Sequence, residues 1–357
     1  MISTLALRDF RCFSRLTCEF HPEATYIIGK NALGKTSLLE AVAVLARLRS
    51  PRLNSLQPVL RNGARGLVLD GHVSGFHLQF YYSPNRRKLA LDSVEQKDAK
   101  AYLQVARVVF FGNSDIDLVR GGSEGRRRFL DFVGSQLDSS YREILRSYER
   151  ALRSRNAYLK MLPVRSREIA AYTGPLLKYG HQLTSVRARV LERLEPFVLS
   201  AFNQISDQAE TFALRYEAGA TNDFAAALAA TLEEEQRLRT TVVGPHRDDM
   251  QFVMHGQRAE LFASEGQQRT MALAVKLGQA RLLEAEFDQP PILLLDDVFG
   301  ELDRERRNRL LPALAGRSQR IVTTTTLDWL SGSFSGLRYE LRESGENQRV
   351  LVGLPTS

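Results

Sequence analysis

The chain carries 357 residues, 43% of them hydrophobic and 25% charged, with a formal net charge of +8; this is more than one small core needs, enough for two domains, and ordinary for a soluble globular protein. No run of about 18 apolar residues occurs, which excludes a membrane span, and the charged start MISTLALRDFRCF lacks the apolar core of a signal peptide. Two cysteines, Cys12 and Cys18, exclude a disulfide framework and a four-cysteine zinc site, and suit reduced thiols in a cytoplasmic protein.

Residues 2–10 (ISTLALRDF) and 15–20 (RLTCEF) alternate apolar and polar side chains, the pattern of a half-buried antiparallel hairpin. Residues 24–29 (ATYIIG) read as a short apolar strand that stops on Gly29, and 35–48 (KTSLLEAVAVLARL) as a helix. Strands are expected at 66–73, 76–83 and 87–93, separated by Gly and Pro-Asn turns, and a buried strand at 105–111. From about residue 115 to 210 the pattern is helical. In the helix expected at 139–161, Tyr141, Ile144, Leu145, Tyr148, Leu152 and Leu159 form an apolar stripe, and Arg142, Arg146, Arg150 and Arg153 a basic one. Strand and helix then alternate. The spacing predicts a strand at 212–218, a helix at 224–238 and a hairpin of QFVMH and AELFA around His255-Gly256. A helix opening near Ser264, a strand at 291–297, a helix at 304–314 and strands at 319–326, 337–343 and 348–354 follow. Such alternation implies a parallel sheet with helices on its faces.

Gly29-Lys30-Asn31-Ala32-Leu33-Gly34-Lys35-Thr36 fits the phosphate-loop pattern G-x-x-x-x-G-K-[ST] and stands between a strand and a helix, as that motif requires. The backbone N–H groups of such a loop, through Ser37, cradle phosphate; Lys35 reaches the β- and γ-phosphates and the Thr36 hydroxyl ligates Mg²⁺. Ile292 to Asp297 is an apolar run ending in two acids. Asp296 is the candidate that holds Mg²⁺ through its water shell, and Asp297 the one that orients or deprotonates an attacking water. Ser264-Glu265-Gly266-Gln267 opens a further helix with an anion-seeking N-terminus. The phosphate loop already serves one end of a triphosphate, so this second corner must meet another face of it, or a different nucleotide.

The order of phosphate loop, Ser-x-Gly-Gln corner and acid strand resembles the ATP-binding cassette superfamily, with Glu265 in the second position of its Ser-Gly-Gly-Gln signature. Together with LRDFRCF, RRRFLD, YERALRSRNAYLK, GPHRDD, SEGQQRTMALAVKLGQA and PILLLDDVFGELDRERRNRLL, these blocks are similar to the RecF family of bacterial recombination mediators over nearly the whole chain. The resemblance implies an α/β fold: a P-loop cassette-type ATPase head over 1–112 and 211–357, with an inserted helical second lobe over 113–210 and no long coiled coil. It implies ATP and Mg²⁺ as cofactors and a homodimer in which Ser264, Gly266 and Gln267 of one copy meet the nucleotide on the other. Asp303, in the Glu301-Leu302-Asp303 block, would lie near both nucleotides; a helix cap is its plainer role. It also implies slow regulatory hydrolysis, and work at DNA gaps and junctions with RecR and RecO to load RecA.

Some positions depart from the family pattern. Lys30 and Ala32 stand where an acid and a glycine are usual, and FGNSDIDL lacks the proline and the Glu-Asp pair of the family's F-x-P-E-D-L segment. A switch histidine is absent; Thr324 and Thr325 are candidates for γ-phosphate sensing, or a plain strand end. Arg11 resembles the family's N-terminal arginine near the nucleotide, with a solvated strand-end charge as the alternative. GPHRDD reads as a structural loop in preference to a His-Asp metal site.

A basic balance favours polyanions without choosing among them. Between Arg120 and Arg193 there are 16 Lys and Arg against 7 acids, a net of +9 beside +8 for the whole chain. The excess charge therefore lies in the helical lobe, and Arg126, Arg127, Arg128, Arg142, Arg146, Arg150 and Arg153 are the candidate DNA contacts. No base-reading motif is present, so backbone recognition is expected. An SMC-like head that tethers DNA without a loading role is the alternative; the short helical lobe, without heptad arms, disfavours it. A transporter ATPase would need a membrane partner and usually a switch histidine.

Overall fold

Short runs such as ILLL at 292–295 and ATYII at 24–28 are apolar on both faces, which only a sheet covered on both sides can bury. The computed structural model, which describes residues 1–53, 55–162, 165–206, 210–220, 223–300, 302–314, 316–329, 336–345 and 348–355, places them in such a sheet. The chain divides into two compact units: 1–115 with 201–206 and 273–357, and 116–200 with 207–272.

The first unit holds two six-stranded sheets. One runs in the order Gln348–Leu354, Leu337–Ser344, Ala24–Ile28, Arg320–Thr324, Ile292–Asp296, Val108–Gly112. It is parallel except for the antiparallel pairing of its edge strand Gln348–Leu354. The other is antiparallel throughout, in the order Phe13–Glu19, Ile2–Phe10, Leu67–Val73, Phe76–Ser83, Arg86–Leu91, Val94–Glu95. The helix Lys35–Arg47 touches strands of both sheets and is buried along nearly its whole length. A helix apolar all round, as this one is from Leu38 to Ala46 apart from Glu40, belongs in such a position. Gly71 permits the close approach of this helix: a Cβ there would stand 2.4 Å from Thr4 O and 2.9 Å from the Leu45 side chain.

In the second unit the helices Ser123–Leu137 and Tyr141–Leu159, and most of Ser166–Ile205, accompany a three-stranded antiparallel sheet of Phe212–Glu217, Asp249–Met254 and Gln257–Arg258. The apolar stripe expected on Tyr141–Leu159 is buried at Tyr141, Leu145, Tyr148 and Leu159. Gly134 lets the neighbouring helix close on Tyr141, whose ring would lie 2.3 Å from a Cβ at that position.

The unit boundaries differ from the expected lobe boundaries. Residues 207–272 cluster with the helices, not with the large sheets, so the second unit is mixed rather than helical. The physical reason is the strand Asp249–Met254, which packs on the helix Ser123–Leu137 and is joined to it by ion pairing. Three local expectations are also corrected. The hairpin at His255-Gly256 pairs Val253 and Met254 with Arg258 and Gln257 only; Ala259–Phe262 is a helical turn. The helix expected at 224–238 is two, Phe224–Ala230 and Leu232–Leu238, broken where the Thr231 hydroxyl donates back to Ala227 O and Leu228 O. The strand expected at 105–111 is Val108–Gly112, preceded by the helix Lys100–Gln104. No helix among the described residues is long and apolar enough to cross a membrane.

Candidate functional site

The strand Ala24–Ile28 ends at Gly29, and the helix Lys35–Arg47 begins after Gly34, its N-cap, at φ 107°. A side chain at Gly34 is impossible on two counts: that backbone is left-handed, and a Cβ would stand 2.4 Å from Cys12 Sγ and 2.9 Å from the Phe13 ring. Ala32 also takes a positive φ, 67°, so the loop makes its turn there without a glycine, at a cost of about 1–2 kcal/mol. The helix has no acid in its first turn, which leaves its N-terminus to an anion.

Lys35 curls over the loop, donating from Nζ to Gly29 O at 2.6 Å and Lys30 O at 3.0 Å. Burial lowers its pKa, and the charges of Asp297 and Asp296 oppose that shift. The Thr36 hydroxyl lies on the carboxylate of Asp296, 2.8 and 2.7 Å from its two oxygens. Thr323 Oγ1 donates to Asp296 Oδ1 at 2.8 Å from the strand that lies between the acid strand and the phosphate-loop strand. Parallel register sets Asp296 opposite Thr323 on one side and Gly112 on the other. Asp297, at φ 53°, leaves the strand with its N–H on Thr323 O at 2.9 Å.

Lys35, Thr36, Asp296 and Asp297 line a cavity of about 590 Å³, with Arg11, Cys12, Pro58 and Leu60 also on its wall. Asn31, Ala32, Gly34 and Ser37 complete the loop side. The donor set fits a triphosphate and a hard divalent cation. A lysine ammonium rests on neutral carbonyls that it can leave, and the cation would find one carboxylate and one hydroxyl. Among the described residues no cluster of three His, Cys, Asp or Glu could hold a metal. A cation here would therefore take its remaining ligands from phosphate and water, the habit of Mg²⁺.

Thr323, the first of the four threonines at 323–326, is a residue that sequence reading missed; strand register brings its hydroxyl onto Asp296. Thr324, by contrast, is buried, with its hydroxyl donating to Thr326 O at 2.8 Å, and Thr325 is exposed; neither lines the cavity. Arg11 is a cavity residue rather than a solvated strand end. Asp303 caps the helix Arg304–Leu314, accepting from Arg306 N at 2.8 Å; Glu301 lies outside the described residues.

In the second unit, Ser264 and Gln267 cap the helix Glu265–Phe287 reciprocally: Ser264 N donates to Gln267 Oε1 at 2.8 Å, and Gln267 N to Ser264 Oγ at 3.3 Å. Gln267 Nε2 also donates to Glu210 Oε1 at 2.7 Å. Ser264 and Glu265 are exposed, and Gly266 and Gln267 half-buried.

The basic residues of this unit separate into two groups. Arg126 is withdrawn as a DNA contact: it is buried, with Nε and NH2 on Asp249 at 2.6 and 2.8 Å. Arg127 is half-buried, bonded to Ser123 Oγ and Asp248 O at 2.7 Å each. Arg155 and Arg187, counted in the basic excess, are buried on Glu235 and on Asp131 with Asp248. Part of the charge excess is thus cancelled internally by acids that follow later in the chain. Arg146, Arg150 and Arg153 are exposed, and Arg128 and Arg142 half-buried. Asp248 and Asp249 of the GPHRDD block are the buried acids of these pairs, which is the structural reading of that block.

A phosphate loop and an acid strand two places apart in one parallel sheet, in a chain with a capped Ser-x-Gly-Gln helix, define a P-loop ATPase head of the cassette and SMC class. The family model described as RecF/RecN/SMC N terminal domain matches residues 1–344. The DNA replication and repair protein RecF of Lactobacillus johnsonii is 35% identical, over 92% of this chain and 94% of its own. The RecF protein of Staphylococcus aureus strain Newman is 31% identical over 99% of this chain and 98% of its own. A solved structure of the recombination mediator protein RecF with ATP, in the RecFOR pathway, is 26% identical with a TM-score of 0.86, covering 99% of this chain and 97% of that one. An Smc head bound to the C-winged helix domain of ScpA is 14% identical with a TM-score of 0.56, a likeness of fold alone. The chain belongs to the RecF family.

Proposed function

We propose that the chain is an ATP-dependent DNA-binding protein of recombinational repair and replication-fork maintenance. Two copies close on ATP, hold DNA at gaps or junctions, and with RecR and RecO assist the loading of RecA. The observation that carries this is the Thr36–Asp296 hydroxyl–carboxylate pair beside the Lys35 loop, in a family with an ATP-bound member.

Magnesium, when bound, neutralises charge on the β- and γ-phosphates. Thr36 and Asp296 hold that ion. Lys35 exchanges the carbonyls of Gly29 and Lys30 for phosphate oxygens, and Asp297 orients the attacking water. The exposed Ser264 corner of a second copy supports a shared site, because a single chain leaves that helix end to solvent. Hydrolysis is regulatory: it reopens the pair. Arg146, Arg150 and Arg153, with Arg142 and Arg128, offer the cationic surface for the DNA backbone.

Gel-shift titration on gapped, single-stranded and double-stranded DNA, with and without ATP, tests this. ATP should strengthen binding by the native protein and leave Lys35→Ala unchanged. Native binding that ignores ATP on all three DNAs contradicts the reading.

A further inference from the structure

Trp329, the chain's only tryptophan, is buried, and its ring lies on that of Phe299 with the centroids 4.3 Å apart and the planes 24° from parallel. A stacked aromatic pair holds two segments in one mutual orientation, beyond what burial of the rings alone would fix. The indole is itself anchored. Its Nε1 donates to Thr324 Oγ1 at 3.3 Å, and the Thr324 hydroxyl donates on to Thr326 O at 2.8 Å. Phe299, also buried, stands two residues after Asp297 in the turn that leaves the acid strand.

Asp297 needs support of this kind. Its backbone, at φ 53°, is one that a residue other than glycine keeps only where the surroundings over-determine it. One restraint is the bond from its N–H to Thr323 O at 2.9 Å. The other lies in the turn beyond it, which curls back so closely that a Cβ at Gly300 would stand 3.1 Å from Asp297 Oδ1. Within that turn Phe299 is fixed on Trp329. Both restraints end on the strand Arg320–Thr324, one at Thr323 and one at Thr324. The same strand holds Asp296 through the Thr323 hydroxyl. Neither Trp329 nor Phe299 lines the cavity, so neither reaches a nucleotide directly.

Resting on the ATP reading above, we propose that Trp329 is a positioning residue for ATP hydrolysis. Stacked on Phe299 and anchored to Thr324, it clamps the turn at 297–300 so that the Asp297 carboxylate keeps the orientation from which it directs the attacking water. Trp329 thereby sets turnover, while the binding of nucleotide is left to Lys35, Thr36 and Asp296.

Single-turnover hydrolysis and equilibrium ATP binding, measured on the same proteins at one protein concentration, test this. Trp329→Leu keeps an apolar side chain that cannot stack. It should slow hydrolysis on the order of 10–100-fold, the scale of a small misplacement of a reacting group, with ATP affinity within about twofold of native. Trp329→Phe, which keeps a ring, should recover most of the rate, and Phe299→Leu should match Trp329→Leu. The two leucine changes together should cost no more than either alone, as expected of two halves of one contact. In an Asp297→Asn background Trp329→Leu should slow hydrolysis no further, a result that loosening of a merely structural core would not give. Phe299→Leu carries the same comparisons if Trp329→Leu does not fold. Native-like hydrolysis by the leucine variants, a loss of ATP affinity equal to the loss of rate, equal rates for Trp329→Phe and Trp329→Leu, or undiminished slowing in the Asp297→Asn background overturns the proposal. Asp297→Asn that hydrolyses ATP as the native chain does removes the reading of Asp297 itself, and this proposal with it.

Discussion

Asp297 has a backbone that few side chains tolerate, at φ 53°, and Asn shares with Asp the readiness to adopt it. Asp297→Asn should therefore fold and bind ATP as the native chain does, while losing about 10²–10⁴-fold in turnover, the usual contribution of a positioned base. Single-turnover hydrolysis beside equilibrium ATP binding checks this, and equal turnover would remove Asp297 from the chemistry. At this scale the legible residues were those whose chemistry demands a fixed local spacing. Gly34, Lys35 and Thr36 had to be neighbours for a loop to wrap phosphate, and Asp296 and Asp297 had to end an apolar strand. Thr323 and Glu40 were not legible. Their contacts, with Asp296 and Arg11, reach 27 and 29 positions along the sequence and are created by strand register and by the docking of one helix between two sheets.

At the scale of the element, the GPHRDD block shows how a loop is held by buried charge. His246 is pushed down to about 4, by burial first, while its hydrogen bond to Thr241 O pulls the other way. Its ring nitrogens meet Tyr148 Oη at 2.7 Å and Thr241 O at 2.9 Å, which suits the neutral imidazole. The folded value lies below the ordinary 6.5, so the unfolded chain binds the proton first as pH falls. The stability due to this group is complete above about pH 6.5 and is lost as the pH drops towards 4, on the order of 3 kcal/mol. Denaturant melts of native protein and His246→Gln between pH 7 and pH 4.5 should converge as the pH falls; parallel curves would contradict the assignment. The arginines around the block give a second contrast. Arg126→Ala strands Asp249 without its buried partner and should cost about 3–5 kcal/mol, whereas Arg146→Ala, on an exposed face, should stay within about 0.5 kcal/mol. Equal melting of the two would refute the division into inward and outward arginines. The helical stripe of Tyr141–Leu159 was readable from periodicity because burial follows 3.6-residue spacing. Which arginines turn inward was not, because their acids lie as far away as Glu235, Asp248 and Asp249. The limits of the two units were hidden for the same reason: the short strands at 212–217 and 249–254 follow the helices in sequence and resemble a return to the large sheet, yet they pair with each other.

For the whole molecule, the question is whether one chain suffices. The phosphate loop, the acid strand and Arg11 line one cavity, and the proposed shared site gives the exposed Ser264 corner, a helix cap bonded through Gln267 to Glu210, a place on the nucleotide of a second copy. If that corner of a second copy closes the site, ATP should drive association, and a bulky cation at the corner should block it while each single chain still binds nucleotide. Sedimentation velocity with Asp297→Asn, which holds ATP uncleaved, should show a dimer with ATP and a monomer without. The same protein carrying Ser264→Arg should remain a monomer in both conditions while still binding ATP, with the affinity of an unpaired chain. DNA binding then divides into two dependences: ATP sets how many copies close, and the outward arginines set the salt response. Removing Arg146, Arg150 and Arg153 one at a time should lower the slope of log affinity against log salt by about one each, on every DNA sequence alike. A Ser264→Arg protein that still pairs on ATP would show that closure uses some other surface, and the Ser-Glu-Gly-Gln corner would then be only a helix cap.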